Sequence, residues 1–115
     1  MKPKFRFADS NSVAWEKHQQ VSGVEIKQLL GANGQVMELY KLLPNIIFPN
    51  HLHNAPEFLY LLEGSAKVDG KWITSGWASV AETGTMETNF QSGDTGCVFM
   101  AVYTIGTNNI GTNSI

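Results

Sequence analysis

Residues 44–64, PNIIFPNHLHNAPEFLYLLEG, concentrate the chemistry of this chain. His51 and His53 stand two apart, and in an extended strand residues i and i+2 point to the same face. The two imidazoles can therefore meet at one point in space. Glu57, four residues after His53, can bring a carboxylate to the same place. Two neutral ring nitrogens and one carboxylate make a donor set suited to a divalent first-row ion: iron, manganese, zinc or nickel. Upstream, Pro49 follows the apolar run Ile46, Ile47, Phe48, which fits an edge or bulge position because proline cannot donate to a ladder.

On either side the chain reads as short strands. GVEIKQLL at 23–30 sets Val24 and Ile26 against Glu25 and Lys27, the period of a half-buried strand. Asn33-Gly34 is a type I′ hairpin signal, and QVMELYKLL at 35–43 returns as the partner. Asp69-Gly70 repeats the signal between SAKV (65–68) and KWI (71–73). WASVAETG follows Gly76, METNFQS leads to a turn at SGDTG (92–96), and GCVFMAVYT closes the series. KFRFA at 4–8 alternates like an edge strand, and SVAWEK at 12–17 is another candidate, anchored by Trp15. No long segment has a helical period, so the spacing predicts an all-β sandwich or barrel. FLYLLE at 58–63 does not alternate, as expected of a strand buried on both faces or facing a subunit. The second of these alternatives predicts a homodimer.

With 115 residues, 43% of them apolar and 16% charged, the chain is one globular domain. A net charge of −2 argues against a nucleic-acid partner. The N-terminus has no apolar signal region and no run approaches a membrane span, so the expected address is the cytoplasm. Cys97 is the single cysteine, which excludes an intrachain disulfide. Within GCVFMAVYT it reads as a buried small hydrophobe. The expected domain is 1–105. Residues 106–115, which continue the pentad repeat IGTNN, IGTNS begun at Ile105, are expected to be a floppy tail or a strand used in subunit contact.

His18, in the polar patch EKHQQ, is expected to be solvated, as are Glu82 and Asp94 beside glycine-bearing turns. Tyr60, Trp72, Trp77, Phe99 and Tyr103 are expected mainly in the core. With three histidines there is no serine–histidine–aspartate set, and no P-loop or dinucleotide fingerprint is present.

The central stretch resembles the first motif of the cupins: Gly, five residues, His-x-His, three or four residues, Glu, six residues, Gly. Asn45 stands at the first glycine, and His51, His53, Glu57 and Gly64 match. The second cupin motif begins at Gly76 and continues to Gly84, with Glu82 at the proline position. Its histidine position is Glu87, and Asn89 falls two residues after it. Three readings of Glu87 are open: a replacement metal ligand, a lost ligand that leaves a two-histidine, one-carboxylate site, or a solvent-facing residue. Strand alternation supports the third, since Met86, Thr88 and Phe90 would share one face and Thr85, Glu87 and Asn89 the other.

Over most of its length, from Trp15 to LLEGSAKVDG, the sequence is similar to the ChrR-type cupins and to the acetylacetone dioxygenases. The resemblance implies a double-stranded β-helix (a jelly-roll barrel) around a metal held by His51, His53, Glu57 and Glu87. It also implies a non-haem, metal-dependent, oxygenase-like enzyme acting on a small diketone or related carbonyl compound, with Glu87 completing the metal shell or serving as catalytic base. The alternative it carries is a non-catalytic metal- or ligand-binding sensor module. ChrR is itself a zinc-binding cupin within an anti-sigma factor, and this chain is expected to stand alone, without the helical sigma-binding domain.

Overall fold

Two tight turns organise the main sheet. Asn33 and Gly34 have φ of 54° and 82°, and Asp69 and Gly70 have 50° and 77°. Type I′ turns need positive φ at both central residues. The first turn folds β2 (Val24–Ala32) onto β3 (Gln35–Leu42), and the second folds β5 (Glu57–Val68) onto β6 (Lys71–Thr74). The structure, a computed structural model, describes residues 2–105; the IGTNN and IGTNS repeats lie outside them except for Ile105. The remaining strands are β1 (Glu16–Lys17), β4 (His51–Leu52), β7 (Ala78–Ala81), β8 (Met86–Glu87) and β9 (Gln91–Thr104). The large sheet runs β1-β2-β3-β9-β5-β6, with β7 also paired to β5, and β4 and β8 form a separate two-stranded ribbon. Among the described residues no helix is long and apolar enough to cross a membrane.

Strand alternation places the core. Tyr40 and Leu42 of β3, Leu59 and Leu61 of β5, and Cys97, Phe99, Ala101 and Tyr103 of β9 are all buried. A file of rings crosses the interior. Phe48 meets Phe90 edge-on at 5.8 Å, Phe90 meets Phe99 at 5.7 Å, and Phe99 stacks on Tyr40 at 5.1 Å. Such aromatic pairs add about 0.5–1.5 kcal/mol beyond their buried area. They tie the segments flanking β4 and β8 to the large sheet.

Gly64, the last mark of the first motif, has φ +78°, and a Cβ there would collide with the carbonyl oxygen of Gly96, itself at φ +78°. The two backbones cross where the β5–β9 pairing jumps from Gly64↔Cys97 to Ala66↔Ser92. The expected turn at SGDTG is therefore a bulge inside β9, with Asp94 exposed upon it.

Other expectations need correction. KFRFA forms no strand. Phe5 and Phe7 are each 89% exposed, so its alternation has no core to face. SVAWEK supplies only the two residues of β1, and METNFQS divides between the two residues of β8 and the first two of β9. Tyr60, Trp72 and Trp77 are exposed, unlike Phe99 and Tyr103. Tyr60 lies on the outer face of β5, between the inward Leu59 and Leu61. His18 is buried, not solvated. Its Nδ1 accepts from the backbone N–H groups of Gln20 and Val21, both at 3.0 Å, and its ring stands edge-on to Phe48.

Candidate metal centre

The site is assembled by the β4–β8 ribbon. His51 lies directly opposite Glu87, and Leu52 opposite Met86. Directly opposed residues share a face, and Met86 is exposed, so His51 and Glu87 point inward together. Two backbone bonds extend the ribbon: His53 N–H to Thr85 O at 2.9 Å and Gly84 N–H to His53 O at 2.8 Å. Gly84 has φ +90°, and its place in the second motif follows from this turn, which returns the chain so that Glu87 faces the histidines.

Glu87 is 11% exposed, and its Oε1 is 3.0 Å from Nε2 of His53. The solvent-facing reading of Glu87 is thus corrected. The alternation that suggested it breaks at Asn89, whose φ is +52°. That left-handed residue lets both Glu87 and Phe90 turn inward although they are three apart. Asn89 is held there by its N–H, which donates to the Asn50 side chain at 3.0 Å.

The rings of His51 and His53 are 4.7 Å apart between centroids. Nδ1 of His51 lies 3.1 Å from the Pro49 carbonyl. A carbonyl only accepts, so Nδ1 carries the proton and Nε2 keeps its lone pair, the arrangement usual for a metal-ligating histidine. One potential ligand atom from each of His51, His53 and Glu87 lies within 4.8 Å of the other two. Ligand bonds of about 2.0–2.2 Å place neighbouring donors roughly 3–3.5 Å apart, and the 3.0 Å between His53 and Glu87 fits that spacing. Two imidazoles and a carboxylate therefore suit a divalent ion in both geometry and donor type.

Glu57 is not among the converging three. Its Oε1 lies 3.4 Å from Nδ1 of His53, the ring nitrogen opposite the one that meets Glu87. His53 is completely buried, and its Nδ1 makes no aligned hydrogen bond.

Behind the site lies a cluster that sequence reading missed. Glu38 is 1% exposed, and its Oε1 accepts from Tyr103 Oη at 2.8 Å and Tyr40 Oη at 3.1 Å. Burial, then the charges of Glu38, Tyr103 and Glu57, pushes the Tyr40 hydroxyl well above its ordinary range. It therefore remains a donor at any physiological pH. The available signal was positional, since Glu38 shares the inward face of QVMELYKL with Val36, Tyr40 and Leu42.

A cavity of about 100 Å3 adjoins the site, lined by His53, Glu57, Leu59, Met86, Glu87 and Thr88 among others. This is well below the roughly 300–1,000 Å3 of drug-sized ligand pockets and suits a ligand of a few heavy atoms. A larger hollow of about 600 Å3 surrounds the β1–β2 connection. Among the described residues no trio of ligand-capable groups converges there.

No family model matches the sequence. No curated protein matches it either. Solved structures do. A candidate acetylacetone dioxygenase from Methylibium petroleiphilum PM1 superposes with a TM-score of 0.81 at 15% identity, over 91% of this chain and 80% of that one. The polyketide cyclase RemF from Streptomyces resistomycificus gives 0.74 at 21%, over 86% and 78%. The Rhodobacter sphaeroides complex of SigE with the anti-sigma ChrR gives 0.69 at 17%, over 80% of this chain and 49% of the matched one. This chain has the cupin fold. As in the cupin motifs, its histidine pair sits on one strand of the inner wall, and the second motif supplies the facing residue, here a glutamate.

Proposed function

We propose that this cupin is a small metal-dependent enzyme, oxygenase-like in chemistry, that acts on a small diketone or related carbonyl compound. The observation that carries the reading is the convergence of His51, His53 and Glu87 on the inner face of the ribbon, beside a cavity of small-molecule size. The fold likeness to an acetylacetone dioxygenase supports the substrate class.

His51 and His53 would hold the ion through Nε2, with Glu87 as third ligand. The Pro49 carbonyl fixes the His51 ring, and Glu57 stands behind His53 as its orienting carboxylate. Iron, manganese, zinc and nickel all suit this set. When bound, a divalent ion supplies Lewis acidity toward a chelating carbonyl group. The carboxylate of Glu87 would offset the ion's charge, and its second oxygen would serve as the base for a proton on a carbon next to that carbonyl. Leu59 and Met86 give the cavity an apolar wall, which disfavours a hydrated, strongly charged substrate.

The test has two stages. Protein purified without chelator and offered the four metals is analysed for metal content, alongside His51→Ala, His53→Ala and Glu87→Ala. The wild type should retain one ion per chain and the variants little. Unchanged metal in Glu87→Ala would remove Glu87 from the ligands. The iron-loaded wild type is then given a panel of β-diketones in an oxygen-electrode cell. Retained metal without uptake above a free-iron control, across the panel, would favour a metal-binding sensor module.

A further inference from the structure

The interior behind the metal centre holds a carboxylate that the centre does not use. Glu38 and Glu57 are both buried, and Glu87 is nearly so. None of the described lysines and arginines is buried. A buried charge needs an opposite charge close by, because burial removes the water that would otherwise hold it. Glu57 and Glu87 stand on either side of the His53 ring. Glu38 instead meets two hydroxyls, Tyr103 Oη at 2.8 Å and Tyr40 Oη at 3.1 Å, both on Oε1.

The register of the large sheet ties this carboxylate to the site. Glu38 lies opposite Ala101, which lies opposite Leu59. Two residues along β9 from Ala101 stands Tyr103, and two residues before Leu59 stands Glu57, so both keep the inner face. Val102 pairs with Phe58, which makes Tyr103 and Glu57 neighbours across the next step of the ladder. Tyr103 thus bonds Glu38 from beside Glu57, and the Tyr40 hydroxyl lies in the field of both carboxylates. An oxygen that accepts two O–H bonds acts as part of an ionised carboxylate, which has no donor of its own. Glu38 therefore places a fixed negative charge, shut off from solvent, next to the group that orients His53.

We propose that the charge of Glu38 biases the metal centre toward the trivalent state of its ion, and so toward iron or manganese among the four metals that suit the ligands. The inference rests on the reading of His51, His53 and Glu87 as a metal centre. With neutral histidines, the three carboxylates Glu38, Glu57 and Glu87 sum to −3. A divalent ion leaves one negative charge over, and a trivalent ion leaves none. Inside a protein such an imbalance is felt more strongly than in water, because the effective dielectric constant is lower. Net charge and the polar groups behind the ligands are among the levers by which a protein sets the potential of a bound metal. Iron and manganese have an accessible trivalent state and gain from the bias. Zinc, which has no redox chemistry, does not. The two tyrosine hydroxyls keep the Glu38 charge in place, since they satisfy it without neutralising it.

A mediated redox titration of the iron-loaded full chain tests it, one electron passing from the ion to the mediator and no atom being transferred. Glu38→Gln keeps an oxygen for the two tyrosines and removes the charge. Its midpoint potential should rise, the ratio of ferric to ferrous affinity falling about tenfold, or about 59 mV for one electron. Glu38→Asp keeps the charge and should stay near the wild type. The triple variant Glu38→Leu/Tyr40→Phe/Tyr103→Phe replaces the whole polar cluster by apolar groups, an exchange that cores tolerate better than the loss of one partner. It should show the same rise, with a circular dichroism spectrum like that of the wild type. Simple loosening of the site would weaken both oxidation states alike and leave the potential where it was. An unmoved potential in Glu38→Gln, or in the triple variant if Glu38→Gln does not fold, would therefore overturn the proposal, as would an equal rise in Glu38→Asp. Metal content, measured first, separates the two readings. A wild type that holds no iron removes the metal centre and this inference with it, whereas bound iron with an unmoved potential removes only the role of Glu38.

Discussion

Nε2 of His53 lies 3.0 Å from Oε1 of Glu87, a residue 34 positions away in sequence. The contact depends on two left-handed backbone positions, Gly84 and Asn89, that return the chain and then turn it inward. The carboxylate comes from the place where the cupin pattern carries a histidine, and it reaches the nitrogen that faces away from Glu57.

Glu57 should behave differently from Glu87. A carboxylate that only orients a ligating histidine typically contributes 10–100-fold in metal affinity, not binding itself. Glu57→Gln is therefore expected to keep one ion per chain with affinity about 10–100-fold lower, measured by competition against a chromogenic chelator. Complete loss of the ion in Glu57→Gln would make Glu57 a ligand in its own right.

Gly64→Ala should be severely destabilising. The substitution puts a side chain at φ +78° and drives its Cβ into the Gly96 carbonyl, which is backbone and cannot swing away. A loss of about 2–4 kcal/mol is expected from strain and displacement together, read as a shift of the urea midpoint. Gly70→Ala is the control: φ is +77° but no atom lies within 4 Å of the new Cβ. It should lose only about 1 kcal/mol.

His18 should make stability sensitive to mild acid. Burial lowers its pKa from the ordinary 6.5, and Nδ1 must stay unprotonated to accept from Gln20 and Val21. The unfolded chain therefore binds this proton at a higher pH than the folded one. The stabilisation is full above pH 6.5 and falls as pH drops below it, towards the lowered folded value. Lys17, Glu25 and Lys41 line the same hollow. In His18→Asn the amide oxygen can take over the two backbone bonds. Denaturation curves at several pH values should then show a smaller loss between neutrality and pH 5 than in the wild type. An identical pH dependence would mean that the acid sensitivity arises elsewhere.

What was legible in the sequence was local. Asn33-Gly34 and Asp69-Gly70 announce their turns because few residues tolerate the φ values required. His51 and His53 announce a shared direction because strand geometry alone sets it. Glu87 was ambiguous because a single left-handed residue, Asn89, reverses the face on which alternation would place it. His18 looked solvated among polar neighbours, and only the loop folding back onto Nδ1 explains its burial. Tyr60 belonged to an apolar run without a period, and such a run does not say which side faces the core. Glu38 gave the opposite signal, a charge in the inward register, which becomes intelligible once Tyr103 arrives from the far end of the chain.

The β4–β8 ribbon has one more consequence. Two paired residues on each side, extended by the bonds of His53 to Thr85 and Gly84, make a short ladder, joined to the large sheet by the Ile47↔Gln91 bridge and the bonds from Phe48 N–H to Phe90 O and Ser92 N–H to Ile46 O. Short, peripheral pairings open at a small fraction of the cost of global unfolding. The wall that carries His51 and Glu87 is thus a shutter hung on a rigid frame. Local opening there should leave the aromatic file behind it closed, and an ion held by residues of both strands would oppose that opening.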